Sequence, residues 1–169
     1  MVGAGSWGTT VASLVAHNAD TTLWARREEL VAEINARHTN SASLPNATLP
    51  DTLRASTDLD ELIARADVVA MAVPSQGFRD VAARVATSIG KTTPVVSLSK
   101  GLERSTLMRM SQVLAESMPG NPVAVLSGPN LAREILAGQP AASVVACAND
   151  AVATTLQGLF SRQIGRAHV

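Results

Sequence analysis

Short apolar runs alternate along the chain with stretches whose apolar residues recur every three or four positions. This is the pattern of strands alternating with amphipathic helices. Residues 21–24, 68–73, 95–98, 123–126 and 143–147 read as strands. Most are apolar throughout, as parallel strands covered on both faces are. Trp7, Val11, Leu14 and Val15 fall at i, i+4, i+7 and i+8 and mark a helix. Further stripes are Leu30, Val31 and Ile34; Leu59, Leu62 and Ile63; Phe78, Val81 and Val85; and Leu107, Met110 and Leu114. Val152, Leu156, Leu159 and Phe160 repeat the first spacing. Asp58, with Glu61 three residues on, has the form of a capping box. Asp150 is placed to cap the last helix, and Pro119-Gly120 closes the one before it. Residues 40–50 hold two prolines and many small polar residues, which predicts a loop leading into a minor strand near 53–56. No internal repeat or dividing linker interrupts the series.

Gly3-Ala4-Gly5-Ser6-Trp7-Gly8 spells GxGxxG between an apolar opening and the first helical stripe, and a second strand follows at Thr21. In that setting the motif predicts a dinucleotide site. Gly3 permits the tight turn, Gly5 lets a diphosphate approach the backbone, and Gly8 lets helix and strand pack closely. Free N–H groups at the helix start then face the phosphates. A glycine turn of purely structural use is the alternative. The fold class that follows is α/β: a Rossmann-type doubly wound, mainly parallel sheet with helices on both faces. An NAD-preferring site places Asp or Glu at the end of the second strand, about 20 residues on. Here that strand runs into Leu23-Trp24-Ala25-Arg26-Arg27, and Asp20 lies before it, at the wrong end. Arg26 and Arg27 suit a 2′-phosphate, which favours NADP over NAD; a solvated arginine pair is the plainer reading.

Ligands of such sheets sit beyond the carboxyl ends of the strands. The predicted tips are Pro74-Ser75-Gln76, Ser99-Lys100-Gly101 and Ser127-Gly128-Pro129-Asn130. The chain has 12 arginines but only two lysines, and one of these, Lys100, stands at a strand end beside a glycine. A compact ammonium there can hold a phosphate or polarise an oxygen; a surface lysine at a turn is the alternative. His17, His38 and His168 are weak candidates. No His, Cys, Asp and Glu set has metal-ligand spacing, and no serine is paired with a base, so no metal site is expected.

Composition narrows the function classes. Lys+Arg 14 against Asp+Glu 14 gives a formal net charge of zero, which argues against a nucleic-acid partner. Trp7, Trp24, Phe78 and Phe160 are the only aromatics, too few for a base-stacking platform. At 169 residues and 46% hydrophobic content the chain suffices for one large domain with a sizeable core. Cys147 is the single cysteine and points to a reducing, cytoplasmic compartment. No apolar run approaches the roughly 20 residues a membrane helix needs.

Taken together, the motifs resemble the bacterial-type NAD(P)-dependent glycerol-3-phosphate dehydrogenases. GAGSWGT (3–9), LWARR (23–27), AVPSQ (72–76), SLSKGLE (97–103) and LSGPNLAREI (126–135) stand in that family's order and spacing, as do the prolines at 45 and 50. The resemblance runs from residue 1 to 160. It implies cofactor contacts at Ser6, Trp7, Arg26, Lys100 and Ala132, beside the candidates read above at Gly3, Gly5, Gly8 and Arg27 and at the strand-tip residue Pro74. It implies a substrate site at Lys100, Gly128 and Asn130, with Lys100 orienting substrate. The implied reaction is the reversible reduction of dihydroxyacetone phosphate to sn-glycerol 3-phosphate with NADP or NAD, in an enzyme of homodimeric form. In the family, the general-acid lysine and a phosphate-gripping arginine lie in a second, all-helical domain. This chain is therefore expected to hold no catalytic acid and to turn over negligibly alone. A dinucleotide-binding module without turnover, or another two-domain reductase of keto or phospho acids, are the competing readings.

Both ends break the pattern. Only Met1 and Val2 precede Gly3, whereas strands run about 5–6 residues, so the first strand is expected to be cut short. Residues 161–169 lose all periodicity, and 164–169, IGRAHV, resemble one translated frame of a short-read sequencing adapter. The dinucleotide-binding domain is accordingly expected over 1–160, with 161–169 a non-native tail.

Overall fold

The structure, a computed structural model, describes residues 1–161. The expected non-native tail lies outside the described residues from 162 onward, as does His168. Strands and helices alternate as α1 (Ser6–Val15), β1 (Thr22–Trp24), α2 (Glu28–Arg37), β2 (Arg54–Ser56), α3 (Leu59–Ala64), β3 (Val69–Met71), α4 (Phe78–Ala86), β4 (Val95–Ser97), α5 (Met110–Ser117), β5 (Val123–Ser127), α6 (Ala132–Leu136), β6 (Val144–Cys147) and α7 (Asp150–Phe160). A 3-10 turn, Ser75–Gly77, precedes α4.

β1 and β2 pair in parallel, and so do β3, β4 and β5 in that order. Val2 joins the two groups by parallel bridges to Trp24 and Met71. Val2 N–H donates to Ala70 O and Ala72 N–H to Val2 O, both at 2.8 Å; Trp24 N–H donates to Met1 O, also at 2.8 Å. Counting this opening segment as the first strand, the strands lie in the order 3-2-1-4-5-6, the dinucleotide-binding order. β6 adds an antiparallel edge against β5. The Met1 ammonium donates to Thr22 O at 2.9 Å, and its burial lowers its pKa to about 5.

Alternate residues of each strand face opposite layers. Met1, Leu23, Ala70, Val96 and Ala124 pack with Val11 and Val15 of α1, Leu30 and Ile34 of α2 and Leu156 of α7. Val2, Trp24, Val69, Met71 and Val95 pack on the other side with Ile63 of α3, Phe78 and Val85 of α4, and Val113 and Leu114 of α5. Every residue of β3 and β4 is buried, which is why their sequences carry no polar alternation.

Two expectations fail locally. Leu107 does not join the α5 stripe. It stands before the helix at φ 59° with 72% of its surface exposed, because residues 103–108 close a turn in which Leu107 N–H donates to Glu103 O. The last helix is capped by Asn149, not Asp150. The Asn149 backbone is extended, and its side chain accepts from Val152 N–H at 3.1 Å, while Asp150 is already helical. Asp58 caps α3 as expected, accepting from Glu61 N–H at 2.9 Å.

Candidate functional site

The opening segment ends in a turn that side chains would block. Gly3 sits at φ +108°, and a Cβ on it would stand 2.6 Å from Ala72 O. A Cβ on Gly8 would fall 1.9 Å from Gly3 O, so helix and strand touch backbone to backbone here. Gly5 differs: a Cβ there would meet nothing within 4 Å. Packing inside the chain therefore does not account for that glycine, whereas close approach of a ligand to the backbone does.

Gly5 is the N-cap of α1 and offers no side chain to the first N–H groups. The helix begins with Thr9 N–H donating to Gly5 O at 2.9 Å, which leaves the N–H groups of Ser6, Trp7 and Gly8 without a helical acceptor. No acid lies in that first turn, so the positive end of the helix is uncompensated.

Above this turn lies a cleft of about 1280 Å³ at the carboxyl ends of the parallel strands. It brings together Gly3, Gly5, Ser6, Trp7 and Gly8 of the glycine turn and Arg26 and Arg27 beyond β1. Pro74 beyond β3, Lys100 beyond β4, and Asn130 and Ala132 beyond β5 complete the set. Gly128 is not on the wall. A Cβ on it would lie 2.5 Å from Ala142 O, and its carbonyl accepts from Lys100 Nζ at 3.0 Å. Trp7 Nε1 and Asn130 Oδ1 are buried without a hydrogen-bond partner, while Asn130 Nδ2 donates to Ser143 Oγ at 2.9 Å. Free N–H groups, an open glycine, two guanidinium groups and no carboxylate at the end of β1 fit a dinucleotide's diphosphate and ribose.

The Lys100 loop is held from below. Ser99 Oγ donates to Val73 O at 2.6 Å, and Gln76 Nε2 donates to Leu102 O at 3.1 Å. Three residues past Lys100, Glu103 accepts two hydrogen bonds of 2.8 Å from Arg79 of α4, and Arg79 also donates to Glu116 of α5 at 2.9 Å. The Arg79 guanidinium, aided by the Thr106 hydroxyl, lowers the Glu103 pKa to about 2. The same two carboxylates push Arg79 upward. Local spacing gives no sign of this cluster, because its members come from three separate elements.

Trp24, Asp80, Arg84 and Ser43 also line the cleft, and sequence reading assigned them no role there. The Arg84 guanidinium lies 5.7 Å from the centre of a Trp24 ring. Among the described residues no group of three His, Cys, Asp or Glu side chains is placed to hold a metal ion, and no helix is long and apolar enough to cross a membrane.

Residues 1–153 match the family model described as NAD-dependent glycerol-3-phosphate dehydrogenase N-terminus. A glycerol-3-phosphate dehydrogenase (NAD(P)+) 2 of Sphingopyxis alaskensis is 49% identical over 168 residues, covering 99% of this chain and 50% of that protein. The glycerol-3-phosphate dehydrogenase (NAD(P)+) of Mycobacterium avium is 50% identical over 161 residues, 95% of this chain and 47% of its own length. Among solved structures, glycerol-3-phosphate dehydrogenase of Coxiella burnetii superposes with a TM-score of 0.89 at 32% identity, covering 96% of this chain and 50% of that one. The chain thus spans about half the length of the curated relatives it matches. With its strand order, its glycine turn and these matches in agreement, the chain belongs to the family of NAD-dependent glycerol-3-phosphate dehydrogenases, in their N-terminal part.

Proposed function

We propose that residues 1–160 are the dinucleotide-binding domain of a cytoplasmic, dimeric sn-glycerol-3-phosphate dehydrogenase that prefers NADP. The reaction, reversible reduction of dihydroxyacetone phosphate, is that of the longer protein whose first half this chain matches. The nicotinamide cofactor, when bound, supplies the hydride. This chain's own residues bind and orient. The N–H groups of Ser6, Trp7 and Gly8 hold the diphosphate, and Arg26 and Arg27 pair with the 2′-phosphate. Pro74 and Ala132 border the dinucleotide. The Lys100 ammonium donates one hydrogen bond to the Gly128 carbonyl. Two protons of that ammonium remain for a substrate oxygen, with Gly128 and Asn130 beside it. No residue here is assigned as the acid that protonates the carbonyl oxygen. Oriented groups can supply about 7–11 kcal/mol of barrier lowering, so residues 1–160 taken alone, which bind and orient, are expected to turn over negligibly.

The observation that carries this reading is the cleft at the strand ends, which gathers the glycine turn, the arginine pair and Lys100. Calorimetric titration with NADPH and NADH tests it. NADPH is expected to bind more tightly, and Arg26→Asp to weaken NADPH on the order of tenfold while leaving NADH within a few-fold. If neither dinucleotide binds the folded chain, the reading is wrong. Steady NADPH oxidation with dihydroxyacetone phosphate by residues 1–160 alone, at the rate of a full-length relative, would refute the division of labour.

A further inference from the structure

The glycine turn is held from behind by a residue that no motif marks. Asn40, from the loop after α2, is completely buried. Its amide nitrogen donates to Ala4 O at 3.0 Å and to Thr9 Oγ1 at 2.9 Å, and its amide oxygen accepts from Ser43 N–H at 3.3 Å. Both amide protons and the amide oxygen are thus engaged, so the side chain cannot rotate without leaving a buried group unpaired.

Ala4 is the middle residue of the Gly3-Ala4-Gly5 turn. In a trans peptide the carbonyl of one residue and the N–H of the next point in opposite directions. A carbonyl drawn inward to Asn40 therefore turns the Gly5 N–H outward. Gly5 lines the cleft, and among the described residues no acceptor takes its N–H.

We infer that Asn40 is a positioning residue for dinucleotide binding: its hold on the Ala4 carbonyl aims the Gly5 N–H at the diphosphate. The inference rests on the dinucleotide reading above and adds a residue outside the cleft to it. Thr9, the other acceptor of the same amide, is its internal control, since losing that bond disturbs the packing of Asn40 but not the Ala4–Gly5 peptide.

The test titrates the whole chain with two probes, NADPH and adenosine 2′-monophosphate, which carries the 2′-phosphate but no diphosphate. Asn40→Asp, which keeps the shape and removes both donors, is expected to weaken NADPH on the order of tenfold and leave adenosine 2′-monophosphate within twofold. Thr9→Val is expected to lower the melting temperature yet leave both affinities within twofold. A folded Asn40→Asp chain that binds NADPH as tightly as the wild type overturns the inference, as does equal weakening of both probes. Should Asn40→Asp fail to fold, the wild-type amide spectrum decides: the Gly5 resonance must move with NADPH and stay with adenosine 2′-monophosphate. A Gly5 resonance unmoved by bound NADPH overturns the inference. A wild-type chain that binds no NADPH overturns the underlying dinucleotide reading instead, so the two failures are distinct.

Discussion

Each of the three glycines in the opening turn answers to a different constraint, and substitution separates them. Gly8→Ala drives a methyl into the Gly3 carbonyl, since the Cβ would stand 1.9 Å from that oxygen. The expected cost is about 1–3 kcal/mol of stability, read as a lower denaturation midpoint. Gly5→Ala meets no such obstacle. The lost chain flexibility of the unfolded state roughly offsets the poorer N-cap, so stability should stay within about 0.5 kcal/mol. The methyl nevertheless occupies the space a diphosphate needs, so NADPH affinity should fall while the denaturation curve stays in place. Equal affinity in Gly5→Ala and wild type would show that the open space is not a ligand's.

At the scale of elements, the Lys100 loop depends on a cluster that responds to acid. The Glu103 carboxyl, ordinarily near 4.5, is lowered to about 2 in the folded chain by Arg79 and Thr106. A depressed carboxyl pKa stabilises the fold fully above the unfolded value, and that contribution is lost as pH falls from about 4.5 through about 2. Glu103→Gln is therefore expected to flatten the acid limb of a stability–pH curve, with stability lowered near neutrality. An unchanged acid limb would exclude the cluster as its source. Sequence pattern revealed most of the elements that flank this loop, because β3 and β4 are buried on both faces and the helices bury one stripe each. It missed α6, which buries no residue and so carries no stripe. It misplaced Leu107, whose apolar side chain fits helical spacing while its backbone turns outside the helix. The glycine turn, the arginine pair and the three strand tips were legible because local chemistry and strand ends mark them. Asn40 and Arg79 were not, since each acts on residues more than 20 positions away.

For the molecule as a whole, the three-residue opening segment ties the two groups of strands into one sheet. Val2 bridges both β1 and β3; its own backbone bonds reach Ala70 and Ala72, while Met1 O accepts from Trp24 N–H and Gly3 N–H donates to Trp24 O. The amides of Val2 and Ala72, each bonded at 2.8 Å at this junction, are expected to exchange hydrogen only with global unfolding. Faster exchange there than in β4 and β5 would show that the halves open separately. At the antiparallel edge the apolar side chain of Val144 in β6 is 67% exposed. Val144→Thr is expected to raise solubility with little change in melting temperature, because the side chain contributes no core contact.

The two tryptophans bring a practical consequence. Trp7 and Trp24 are the only indoles in a chain that has no tyrosine, and both stand on the wall of the same cleft. Intrinsic fluorescence therefore arises almost wholly from the proposed binding surface. An occupant that absorbs where indole emits, as reduced nicotinamides do, should dim nearly all of the protein's emission at once, so occupancy is readable without any attached dye.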